Sequence, residues 1–153
     1  MFSTRVWISI GAGLFVIALA GSALVVPELR LLHFLQALIY VAIALLGRRN
    51  SVWGLGAGVT IAVIWNSFNL FVTHLMQAGA VEFWSFVRTG RVERLDTMLV
   101  PLGGIAHFIL IIACLAALFG RRTNTRNKWW KFVGGGAAAL AYFALIVAIA
   151  APR

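Results

Sequence analysis

The sequence predicts an all-α integral membrane protein: a bundle of five transmembrane helices with a short interfacial segment between helices 3 and 4. Two observations carry this. Of 153 residues, 62% are hydrophobic and 11% charged, whereas a soluble domain carries about 25% charged residues. Five apolar runs, each close to the ~20 residues that cross a bilayer, cover about residues 6–26, 29–46, 53–77, 98–119 and 132–150. They form one transmembrane domain over 1–153.

The first run, Val6–Val26, follows a short head, MFSTR, with one arginine. It is longer than the ~7–15-residue apolar region of a signal peptide. An uncleaved span fits better than one cut at the weak small-residue site near Ala20–Ala23. Ser9, Gly13 and Ala20 give it a small-residue face for close packing. Pro27 and Glu28 make the first turn. The second run carries His33, Gln36 and Tyr40 at i, i+3 and i+7, one face of a helix. It stops at Gly47, followed by Arg48 and Arg49.

The third run, Trp53–Gln77, is the stretch around which the others are expected to build. Gly54, Gly58, Ala62, Asn66, Asn69 and Thr73 recur every three or four residues and form one seam on a helix. Lipid cannot solvate two asparagines, so the seam should face protein or a water-filled cavity. Gly58 and Ala62 should touch a neighbouring helix closely.

Between the third and fourth runs, residues 80–96 hold Val81, Phe83, Trp84, Phe86 and Val87, then Arg88, Arg91, Glu93, Arg94 and Asp96. The apolar half is too short to cross a bilayer. It should lie at the interface, able to cap what is beneath it. The fourth run has Pro101 in its expected first turn, where proline is tolerated, and Gly103 and His107 on one face. Cys114 stands alone, so no intramolecular disulfide is possible; it reads as a small core residue. After the basic loop GRRTNTRNKWWK, the fifth run offers Gly134–Gly136, Ala141 and Ala148 for packing within this chain or against another.

Charge sets the expected orientation. With five spans, one side holds Arg5, Arg48, Arg49, Arg121, Arg122, Arg126, Lys128 and Lys131 and no acid. The other holds Arg30, Arg88, Arg91, Arg94 and Arg153 with Glu28, Glu82, Glu93 and Asp96. Loop cations favour the cytoplasm, so the N-terminus should be cytoplasmic and the C-terminus extracytoplasmic, in a bacterial inner (plasma) membrane. The same loops account for the formal charge of +9 without a nucleic-acid partner.

In this topology His33, His74 and His107 fall in the outer half of the membrane. Gln36, Tyr40, Asn66, Asn69 and Thr73 extend the polar set inward, toward a pocket open to the outer face. The plainest reading is hydrogen bonding between helices, worth about 0.6 kcal/mol per bond. A binding site for a quinone, a lipid headgroup or a pigment is the next. The three histidines are also the candidates for a metal or haem, since neutral imidazole is a common metal ligand, although their spacing matches no metal motif. No acid lies within a span, no serine sits in a nucleophile motif and no lysine lies in the bilayer. No catalytic residue and no cofactor is therefore assigned.

The resulting expectation is a small non-catalytic subunit or binding module whose partners are the lipid bilayer and copies of itself, as a homo-oligomer, or a larger membrane complex. It would hold a lipophilic ligand in the outer polar pocket. One alternative is an oligomeric channel or transporter lined by Asn66, Asn69 and Thr73. Another is a metal- or haem-binding protein using His33, His74 and His107.

Overall fold

A computed structural model describes residues 3–120 and 127–150. Six α-helices follow in order: α1 (Thr4–Val25), α2 (Arg30–Arg48), α3 (Val52–Ser67), α4 (Leu75–Thr89), α5 (Leu95–Phe119) and α6 (Lys128–Ala150). All but α4 belong to spans long and apolar enough to cross a membrane, so the fold is a five-helix transmembrane bundle. Arg121, Arg122, Arg126 and Arg153 lie outside the described residues.

The connections show why the chain turns where it does. Pro27 opens a single 3-10 turn, Pro27–Leu29, at a position where its missing N–H costs nothing. Arg30 Nε donates to the Ala23 carbonyl at 3.0 Å and ties that turn back to α1. At the opposite end Asn50 adopts a left-handed conformation (φ 56°). The Ser51 N–H then donates to the Leu46 carbonyl at 2.9 Å, closing α2 with the kind of αL cap that satisfies terminal carbonyls. These two ends are called below the Pro27 end and the Arg48 end.

The centre of the bundle is α5 rather than the third span. Half of the most apolar stretch of α5 is buried, against 39% in the third span. α5 packs on α1, α3 and α4, while α6 packs chiefly on α3. The reason is steric. A Cβ on Gly11 would lie 2.9 Å from the Ala106 carbonyl oxygen, so glycine lets α1 lie directly against the α5 backbone. Ile8, Phe15, Tyr40, Ile43, Leu55, Ile61, Leu110 and Leu118 fill the shared core.

The third span ends at Val72, not Gln77. From Phe68 it continues as a π-helix, Phe68–Val72, in which the Thr73 N–H donates to the Phe68 carbonyl at 3.0 Å. His74 then takes a left-handed conformation (φ 54°), which a helix cannot propagate. The chain restarts as α4. Its 15 residues span ~22 Å at 1.5 Å per residue, short of the ~30 Å hydrocarbon core. The expected interfacial segment is therefore helical and starts earlier than residue 80.

α4 is held against the side of the bundle. It lies along α5, with Gly79 against Pro101 and the Thr97 carbonyl, and Met76 seated over Gly104. Because α5 begins at Leu95, Pro101 stands in its second turn rather than its first. The Thr97 carbonyl thus loses its i+4 donor, and Gly79 brings α4 up against it. Glu82 locks the return, its Oε1 accepting from the Glu93 N–H at 2.8 Å and the Arg94 N–H at 3.0 Å.

Candidate functional site

Burial selects the polar residues that matter. Gln36, Asn66, Asn69, Thr97 and His107 are the buried polar side chains among the described residues. All lie in the Pro27 half of the bundle or at its middle. The predicted i, i+3, i+7 face of α2 points inward: His33 is half-buried, Gln36 is buried and Tyr40 is 2% exposed.

At the deepest point Tyr40 and His107 meet. The Tyr40 hydroxyl and His107 Nε2 are 2.6 Å apart in a buried hydrogen bond between α2 and α5. Phe15 of α1 and Trp65 of α3 enclose the imidazole, their ring centroids 4.1 and 4.7 Å from it, and they meet each other edge-on at 5.2 Å. Gly103 makes this box possible: a Cβ there would lie 3.1 Å from both the Phe15 and the Trp65 rings. His107 Nδ1 is buried, and the Gly103 carbonyl one turn earlier on α5 is its backbone neighbour.

Above this box lies a cavity of about 190 Å³. Phe15, Trp65 and Gly103 line it from below, Gln36, His33 and Asn69 from the sides, and Ser22, Asp96 and Thr97 toward the Pro27 end. Gln36 lines the cavity and makes no hydrogen bond to a described residue. His33 Nδ1 is likewise buried and unbonded. A second, apolar groove between α1 and α2 shares His33 and Leu19 with the cavity and runs past Ala23, Phe34 and Ala37. Those two side chains form the partition between a polar interior and the lipid-facing side of the bundle.

The seam on α3 divides. Gly54, Gly58, Ala62, Asn66 and Asn69 are buried, and a Cβ on Gly58 would lie 2.9 Å from Cys114 Sγ. Thr73 is exposed, because the π-helix alters the residues per turn and swings the end of the span outward. Asn69 lines the cavity but spends its amide locally. Its Nδ2 donates to the Trp65 carbonyl at 2.9 Å, and its Oδ1 accepts from the Thr73 hydroxyl at 3.4 Å. Asn66 faces Gly104 of α5, and neither its Oδ1 nor its Nδ2 has a partner.

The three histidines do not share one pocket. His33 lines the cavity, His107 lies beneath it, and His74 is exposed in the left-handed break after the π-helix. Among the described residues no group of three His, Cys, Asp or Glu side chains is placed to hold a metal ion. Phe15 and Trp65 were not legible as site residues, since aromatic side chains in an apolar run read equally well as lipid-facing walls. The pairing of Gly103 with His107 one turn later was the available signal. No protein-family model, curated protein or solved structure matches this chain.

Proposed function

We propose that the chain is a non-catalytic membrane binding protein that holds a lipophilic molecule by a ring-sized, hydrogen-bonding headgroup. The headgroup sits in the cavity above Phe15 and Trp65, and its single apolar tail leaves through the α1–α2 groove. One observation carries the reading: Gln36 and His33 line a half-enclosed space, and the Gln36 amide has no hydrogen-bond partner among the described residues. Buried polar groups without partners are costly, and an occupant with a hydrogen-bonding headgroup would satisfy the Gln36 amide. The size supports it, since about 190 Å³ exceeds the ~150 Å³ that admits a benzene ring. Quinones belong to this chemical class.

The reading includes an N-in orientation in a bacterial inner membrane, supported by the loop cations, with the cavity opening on the extracytoplasmic side. It also includes packing into an oligomer or larger complex. The exposed small face of α6, with Ala137, Ala141, Ala144 and Ala148 spaced on one side, supports that part. The test is mass spectrometry of the organic extract of purified wild-type protein and of Gln36→Leu. A near-stoichiometric ring-headed amphiphile in the wild type, lost in Gln36→Leu, is expected. Bulk membrane phospholipid alone, in equal amount in both, contradicts the proposal.

A further inference from the structure

The Arg48 end carries a second site, independent of the cavity above. Arg5 and Ser9 of α1 and Arg48 of α2 line a space of about 480 Å³ together with Ser3, Val6 and Ile10. Two arginines from different helices thus border one open recess on the surface. Neither has a hydrogen bond or ion pair to a described residue; the ion pair present among those residues is Arg94–Asp96. No acid is near, since Glu28, Glu82, Glu93 and Asp96 all belong to the Pro27 end. The Ser3 side chain begins α1 without capping it, which leaves a hydroxyl for an oxyanion. An anion seated between two such cations is attracted by both.

We propose that this recess binds the phosphodiester headgroup of an anionic phospholipid. Arginine suits the task because its planar fork meets two phosphate oxygens at once. Basic pockets between transmembrane helices are recognised sites for such headgroups. A lipid, rather than free phosphate, is indicated by the rest of the lining. Val6 and Ile10 are 40% and 37% exposed and stand one turn apart on α1, so they lead from the arginines toward the hydrocarbon and supply a track for an acyl chain.

The test is native mass spectrometry of the detergent-purified full chain titrated with phosphatidylglycerol, phosphatidylcholine or inorganic phosphate. Phosphatidylglycerol should be retained over phosphatidylcholine. Arg5→Gln and Arg48→Gln should each weaken it about fivefold, the effect of one cation at a membrane surface. Arg49→Gln, next in the chain but outside the recess, should leave binding unchanged. Should Arg48→Gln not purify, Arg5→Gln decides alone, as its side chain is exposed. Unchanged phosphatidylglycerol binding in the Arg5 and Arg48 variants overturns the proposal. So does an equal loss in Arg49→Gln, which would mean a diffuse surface charge. Inorganic phosphate binding with no preference for phosphatidylglycerol overturns the lipid assignment.

Discussion

The two ends of this bundle solve opposite problems with the same residue type. At the Arg48 end, glycines close space. A Cβ on Gly56 would collide with the Phe132 carbonyl, one on Gly135 with the Trp53 carbonyl and one on Gly136 with the Thr60 side chain. There α3 and α6 touch backbone to backbone. At the Pro27 end Gly103 opens space: it lets Phe15 and Trp65 lean over α5 and box His107, and the cavity stands above them. The difference teaches that small residues alone do not identify a helix interface. What faces the missing Cβ, a fixed carbonyl or a movable ring, decides whether the glycine tightens the bundle or shapes a site.

Substitutions at the closed end should have the largest effect. Gly56→Ala and Gly135→Ala push a methyl group into a backbone carbonyl that cannot rotate away. Each should lower stability by about 3 kcal/mol, the upper end of overpacking effects, read as thermal unfolding in detergent. Gly13→Ala is the control, because nothing lies within 4 Å of the added carbon, and its melting should be no lower than that of the wild type. If Gly56→Ala also melts like the wild type, α3 and α6 are not in backbone contact.

The next effect belongs to the buried pair beneath the cavity. Tyr40→Phe removes the hydrogen bond at His107 Nε2 and should cost about 1–3 kcal/mol. His107→Leu should cost a similar amount by stranding the Tyr40 hydroxyl. The double variant should cost clearly less than the sum, because no orphan remains. Strict additivity would mean that the 2.6 Å contact contributes nothing.

The smallest effect separates the two asparagines of the seam. Asn66 is buried with both amide atoms unbonded, so Asn66→Leu should leave melting unchanged or raise it. Asn69→Leu loses the bond to the Trp65 carbonyl and should cost about 1 kcal/mol. Reversal of this order would show that Asn66 has a partner that the helices do not supply.

Much of the architecture was legible from residues alone. Five spans, the inward face of α2 and the close approach at Gly58 follow from apolar length and helical spacing. The end of the third span did not, because Phe68–Thr73 has no proline or glycine, and a π-helix leaves no compositional mark. That one irregularity moved His74 and Thr73 out of the expected pocket. Nor was α5 visible as the central helix. Its sequence is the most apolar of the five, which reads as lipid contact, and only the glycines of α1 and α5 hint that other helices surround it. The cavity itself depends on which rings face which gaps, and spacing along one helix cannot report that.

The most direct test is a fluorescence titration of the purified protein with a short-chain benzoquinone, comparing wild type, Trp65→Phe and Gln36→Leu. Trp65 forms part of the cavity wall, Trp7, Trp53, Trp129 and Trp130 belong to the opposite end, and Trp84 of α4, the other tryptophan at this end, is replaced by phenylalanine in all three proteins. Saturable quenching is expected in the wild type, with loss of the saturable component in Trp65→Phe and weaker binding in Gln36→Leu. Quenching that rises linearly with concentration, or a saturable component that survives Trp65→Phe, would contradict this expectation.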